Sequence, residues 1–367
     1  MKVLINTPGL ELPGGVANYY NTIWQKFSVD VDYFTVGRRN EKESRSAVFW
    51  RFINDFWRFY RLLCKDHYDV VHLNPSLLGL SIIRDGMFHI IAKLMGKRTV
   101  IFVRGWDVKC ERQIERWFMP LFRYAYFSVD AFIVLADEFK QFLREAGYAG
   151  PVYLETTVVD DAIFSDSATP CRQGASEGNK ANLNILTLTR IEKTKGVYET
   201  IDAYHKLKRK YPFVTLNIAG DGPELQALKR YAHDQHIKDV TFLGFVSGKL
   251  KQAAFRQANI FLFPTSYGEG MPNALLEAMA YGLPVITRPV GGIRDFFENG
   301  RMGFVTESLD PNVFSEYLET LILDDGLRLQ IGGFNRNYAR EKFSAPRVVE
   351  RLESIYRQVV GDLLPYL

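Results

Sequence analysis

The 367-residue chain is poor in cysteine: Cys64, Cys110 and Cys171 stand far apart with no Cys-x-x-Cys pair. That excludes a zinc ribbon, argues against a disulfide frame, and points to free thiols in a reducing, cytoplasmic compartment. No run of about 18 uncharged apolar residues is present, so no membrane-spanning helix is expected. The opening strand, Lys2 to Asn6, meets a Pro/Gly loop too soon for a signal peptide. Lys and Arg exceed Asp and Glu by only 46 to 42, too little to argue for a nucleic-acid partner from the total. No Gly-x-Gly-x-x-Gly occurs, which leaves a dinucleotide fingerprint unsupported. The single Asp-x-Asp, Asp30-Val-Asp32, falls at the start of an expected strand rather than in a loop. No metal-bridged diphosphate and no metal site are therefore expected. His233 and His236 lie three apart on one expected helix, lack a third ligand, and read as surface residues.

What is present is an alternation of short apolar runs with amphipathic stretches, the pattern of doubly wound α/β domains. The length suggests two such domains. We place the first at 1–165, a Ser/Gly-rich linker at 166–182, the second at 183–344, and a terminal helix from 345 to 367 reaching back to the first. In the first half, Gly14-Gly15 precede a helix. Asn74, Arg104 and Asp107 follow the strands Val70–Leu73 and Arg98–Val103, at the carboxyl ends that face a ligand crevice in such folds. His72 reads as a satisfied core residue. After the charged run Arg38–Glu43, expected as a loop, an aromatic–basic helix runs from Phe49 to Lys65, and a second is expected from about Glu111 to Ser128. Residues 48–65 and 112–127 thus resemble helices lying on an anionic membrane surface. An amphipathic helix packed on its own domain accounts for the same pattern.

The chain is organised around Pro264–Pro284. The apolar run Ile260–Phe263 reads as a buried strand. A loop with Gly268, Glu269 and Gly270 follows, then Met271, Pro272 in the first turn of a helix, and Asn273 to Ala280, stopped by Gly282. Free backbone N–H groups at that helix start suit an anion, while Glu269 and Glu277 suit hydroxyls. Arg190 and Lys195, after the strand Asn184–Thr189, suit a diphosphate. A ligand with phosphates and hydroxyls is a nucleotide-sugar.

These motifs resemble the family-four retaining glycosyltransferases of the GT-B type, two Rossmann-like domains facing each other across a cleft. The likeness rests on Glu269 and Glu277 in Gly-Glu-Gly-Met-Pro-Asn-Ala-Leu-Leu-Glu, Arg190 with Lys195-Gly196, Ala219–Glu224 and Val290-Gly-Gly292. The resemblance implies that Glu269 contacts the donor sugar and Glu277 the ribose, with Arg190 and Lys195 holding the diphosphate as it leaves. Gly270, Met271, Pro272, Asn273 and Leu276 would line the donor, with Gly220 nearby. Gly244, Phe245 and Val246 would flank the base, and Gly14 and Gly15 would close on the donor from the first domain. It implies no cofactor. The donor would be a UDP-sugar or GDP-mannose, and the acceptor a lipid-linked or cell-surface glycan, or a soluble molecule. A non-catalytic nucleotide-sugar binder is the alternative class. Many relatives carry a histidine where this chain has Arg104; arginine cannot serve as a base near neutral pH, so Arg104 is expected to bind an anionic donor or acceptor.

Overall fold

The computed structural model describes residues 1–11, 14–37, 44–77, 79–165, 182–267 and 270–361. The chain divides into two compact units, one of residues 1–158 and 345–361, the other of 159–344. The charged run 38–43, nearly all of the linker, and Gly268 and Glu269 lie outside the described residues.

In the first unit, β1 (Lys2–Thr7) leads to α1 (Gly15–Ile23), β2 (Asp30–Thr35) and α2 (Arg45–Lys65). Then come β3 (Val70–Leu73), β4 (Ser76–Leu77), α3 (Gly79–Leu94), β5 (Arg98–Phe102) and β6 (Gly105–Trp106). α4 (Val108–Gln113), α5 (Met119–Tyr126), β7 (Ala131–Val134), α6 (Asp137–Glu145) and β8 (Val152–Leu154) complete the run. The main sheet is parallel, in the order β2-β1-β3-β5-β7-β8, with β4 and β6 forming a small separate pair. Apart from Arg98, every residue of strands β3, β5 and β7 is buried, without alternation, as expected where helices cover both faces of a parallel sheet.

The second unit holds α7 (Ala162–Ser165), β9 (Leu183–Leu188), α8 (Val197–Lys210), β10 (Val214–Ala219) and α9 (Leu225–Asp234). It continues with β11 (Val240–Gly244), α10 (Gly248–Gln257), β12 (Ile260–Phe263), α11 (Asn273–Ala280) and β13 (Val285–Thr287). α12 (Ile293–Phe296), β14 (Gly303–Val305), α13 (Pro311–Leu323) and α14 (Asp325–Phe343) close it. Its parallel sheet runs β11-β10-β9-β12-β13-β14. Side chains alternate between two core layers: Ile260 and Leu262 join one, Phe261 and Phe263 the other, as the two-residue period of a strand requires.

The last helix, α15 (Ala345–Val360), belongs to the first unit. Glu353 accepts from the Ser28 N–H and hydroxyl, and Arg351 grips the buried carboxylate of Glu155 through Nε at 2.8 Å and Nη2 at 2.8 Å. These charge-assisted bonds fix a terminal segment whose sequence is merely amphipathic.

Two expectations need correction. The helix expected over Glu111–Ser128 is present from Val108 to Tyr126 but is not α throughout: a wide π turn at Ile114–Phe118 lies between α4 and α5. Pro120 has no N–H to donate to the preceding turn, which prevents a regular ladder there. Pro272 is not in the first turn of α11 but caps it in extended backbone, and the helix begins at Asn273.

Candidate functional site

Both sheets reverse winding direction once, in the first unit between β1 and β3 and in the second between β9 and β12. Ligands of doubly wound sheets bind at the carboxyl ends beside such a reversal.

At the second unit's reversal, the loop after β9 carries Arg190 and Lys195, and the loop after β12 leads into α11. The two loops are stitched together: the N–H groups of Ser266 and Tyr267 both donate to the Thr194 carbonyl, at 2.8 and 3.1 Å. Gly196 takes φ 73°, and a Cβ there would lie 2.2 Å from the Pro264 carbonyl oxygen, so only glycine lets the loops approach. Gly220, after β10, is similarly constrained, with the Thr189 oxygen 1.8 Å from a would-be Cβ. Its N–H donates to the Gly244 carbonyl at 2.7 Å, drawing in the loop that bears Phe245 and Val246. Gly292, at the head of α12, donates to the Gly270 carbonyl at 2.9 Å. Five loops of one sheet edge are thereby tied to one another.

Their side chains differ in setting. Arg190 is 71% exposed and leans on Glu192 at 2.9 Å. Lys195 projects its ammonium over the Tyr267 ring, 4.2 Å from the centroid, an attraction of about 0.5–1 kcal/mol that restrains it. Glu277 on α11 is largely withdrawn from solvent and accepts from Lys251 of α10 at 2.7 Å. Burial raises its carboxyl above the ordinary range, with the Lys251 charge opposing. Phe245 presents an exposed ring. Met271 and Asn273 are half-buried and Pro272 is buried at the head of α11. Leu276 is fully buried in the core; its side chain packs inward rather than lining a surface site. Lys251 escaped sequence reading because its partner is 26 residues away on another helix.

The first unit's edge is built differently. Asn74 bridges β1 and β3: its N–H donates to Asn6 Oδ1 and its Nδ2 to the Asn6 carbonyl, both at 2.7 Å. Tyr20 donates to Asn74 Oδ1 at 2.7 Å, so the Asn74 side chain is committed to the fold. His72 Nε2 lies 3.2 Å from the Tyr20 hydroxyl and its Nδ1 2.7 Å from that of Tyr356. Since Tyr20 spends its proton on Asn74, the consistent assignment has Nε2–H donating to Tyr20 and Tyr356 donating to Nδ1. Burial and the Arg104 charge push the His72 pKa down to about 3. Asp107 caps α4, accepting from the N–H groups of Lys109 and Cys110 at 2.7 and 3.0 Å. Gly14 and Gly15 lie exposed at the head of α1.

Arg104 is set apart. Its guanidinium sits 3.8 Å from the Tyr19 ring centroid and 4.3 Å from that of Phe102. Nη1 is buried without a hydrogen-bond partner, as are the Tyr19 hydroxyl, Asn6 Nδ2 and Thr7 Oγ1. Orphaned polar atoms are costly to bury, and these gather at the carboxyl ends of β1 and β5. Among the described residues no three His, Cys, Asp or Glu side chains cluster as metal ligands would.

Two parallel α/β units, six strands to each main sheet, with candidate sites at their winding reversals, define the architecture of the GT-B glycosyltransferases. The solved structure of HepE from Anabaena, in complex with UDP and glucose, superposes with TM-score 0.71 at 16% identity, covering 97% of this chain and 99% of that one. Residues 174–338 match the family model "Glycosyl transferases group 1", and the chain carries a domain of that family. Among curated proteins, the capsular polysaccharide biosynthesis glycosyltransferase CapM of Staphylococcus aureus is 34% identical over 183 residues, 49% of this chain and 47% of CapM. The N-acetyl-alpha-D-glucosaminyl L-malate synthase of Bacillus anthracis is 30% identical over 190 residues, 52% of this chain and 48% of the relative. The matches span about half the length of these curated relatives.

Proposed function

We propose that the chain is a retaining glycosyltransferase that moves a sugar from a nucleotide-sugar, UDP-linked in preference to GDP-linked, onto a lipid-linked or cell-surface glycan. The observation that carries this reading is the stitched pair of loops at the second unit's reversal, which presents Arg190 and Lys195 beside α11 and its Glu277. The complexed UDP of HepE and the capsular role of CapM support the donor and the acceptor class.

In the proposed reaction the bond from the sugar's anomeric carbon to the diphosphate oxygen breaks, and an acceptor oxygen bonds to that carbon on the same face. The acceptor proton passes to the departing phosphate oxygen. Arg190 and Lys195 neutralise the charge that builds there, so no divalent ion is called for. Glu277 holds the ribose hydroxyls, Phe245 stacks on the base, and Glu269 is assigned to the donor sugar's hydroxyls. Arg104 takes an anionic group of the acceptor.

We also propose peripheral association with the cytoplasmic face of an anionic membrane. α2 bears Arg45, Arg51, Arg58, Arg61 and Lys65 against one acid, Asp55, a net charge equal to the +4 of the whole chain. Trp50 is 67% and Trp57 57% exposed on it, as on an interfacial helix. No helix among the described residues is long and apolar enough to cross a membrane.

The test is turnover in EDTA. Incubation with UDP-sugars and a membrane-extracted acceptor should release UDP and give a product with the donor's anomeric configuration by NMR. Nucleotide binding without turnover of any donor would reduce the protein to a binder.

A further inference from the structure

The first unit contains a cavity of about 500 Å³ that the glycosyl-transfer reading leaves without a task. It lies between α3 and the α4–α5 segment, with Ile83, Met87, Phe118, Leu121, Phe122 and Tyr126 among its walls. That size suits a small-molecule site. Leu121 and Tyr124 on its lining are 57% and 74% exposed, so the apolar surface continues outward from the cavity. A patch of this kind on a water-exposed face marks a binding surface.

Its charged and amide lining residues, Asp107, Lys109 and Gln113, all come from α4 and the residue that caps it. Asp107 ends the short stretch that begins at Arg104, whose guanidinium carries the orphaned Nη1. The wall on the other side includes the π turn, which places Ile114 and Phe118 on the lining, and α5 adds Leu121, Phe122 and Tyr126. Lys109 is the cation on the lining. The segment 108–126 that carries this wall is basic: exposed Lys109, Arg112, Arg116 and Arg123 against Glu111 and Glu115, and Glu111 is engaged by the Trp106 indole. The occupant this combination fits has a long hydrocarbon chain at one end and an anionic group at the other.

We infer that this cavity is a slot for the hydrocarbon chain of a phosphate-bearing lipid acceptor, its anionic link lying toward Lys109 and Arg104. The inference rests on the lipid-linked reading above and locates the lipid within it. The slot holds the chain while the strand ends beside Arg104 receive the part that is glycosylated.

The experiment uses the full chain with dodecyl phosphate, kept below micelle formation, and butyl phosphate as its short control. UDP affinity is read in the same samples. Each buried methylene is expected to raise affinity about fourfold, so dodecyl phosphate should bind at least about a hundredfold more tightly than butyl phosphate. M87E with L121E, both at exposed positions, should remove at least tenfold of that, with thermal melting as the folding control. A diazirine-bearing hexadecyl phosphate should crosslink within residues 82–90 and 110–126. Affinity independent of chain length, or crosslinks concentrated on α2, would overturn the slot. So would a concentration-dependent dimer that the double variant dissociates, because the occupant would then be a second copy. Loss of UDP binding in the unmodified protein would instead refute the donor reading and leave the slot result standing.

Discussion

The two sheet edges solve opposite problems. At the second unit's edge, glycines bring backbone to backbone, and its cations stand exposed or half-exposed, with Lys195 over Tyr267 and Arg190 beside Glu192. At the first unit's edge, tyrosines and histidine are packed out of water, and one cation, Arg104, lies against two perpendicular rings with a buried nitrogen left over. Under the proposed reading the first arrangement suits the diphosphate and ribose of the donor. The second, whose polar atoms are packed rather than presented, is assigned to the acceptor. The difference teaches how the two proposed grips are made: one of loops, the other of a packed wall.

The contrast can be broken by substitution. Lys195→Ala should lower kcat about a hundred- to a thousandfold, the usual loss for one group stabilising developing charge, with melting unchanged because Lys195 carries no core packing. A large fall in melting temperature would make it structural. Arg351→Ala should act in reverse, costing about 3 kcal/mol by stranding the buried Glu155 carboxylate and leaving nucleotide affinity intact; chemical denaturation measures it. Arg104→Leu should cut acceptor kcat/KM about tenfold or more through one lost charge-assisted contact, with UDP affinity unaltered and stability equal or higher, since an orphaned buried donor is removed.

A further effect separates the units by pH. Of six histidines only His72 and His89 are buried, both in the first unit, with pKa values pushed down to about 3 and about 4. Burial is the leading cause for each. Their folded values lie below the unfolded value, so the stability they contribute is complete above about pH 6.5 and is lost as pH falls toward those values. Each should remove up to about 1.4 kcal/mol per pH unit within that window. Hydrogen exchange should show the first unit loosening ahead of the second as pH drops from 6.5 to 5; simultaneous loosening would contradict it.

Much of the second unit was legible because its signals are local. Ile260–Phe263 followed by glycines and Pro272 announces strand, loop and helix, and Arg190 and Lys195 stand five residues apart. The contacts that tune the site were not legible. Lys251 meets Glu277, and Tyr267 meets Lys195, only after the loops have been stitched. In the first unit the aromatic–basic pattern over 112–127 pointed to a helix, and the helix is there, but the π turn beside Pro120 was not legible. Arg104 was visible as a departure from the relatives, but its contact with the Tyr19 ring joins residues 85 positions apart, on a strand end and on α1. Leu276 shows the opposite error: its place in the motif suggested a ligand contact, whereas the helix turns it into the core.

The most direct test is a calorimetric titration of UDP in EDTA against the native protein, Lys195→Ala and Glu277→Ala. The account predicts binding without divalent metal, weakened roughly tenfold or more in each variant, and weakening in the native protein as acid neutralises Glu277. Equal affinity in all three proteins would place the nucleotide elsewhere and contradict the account.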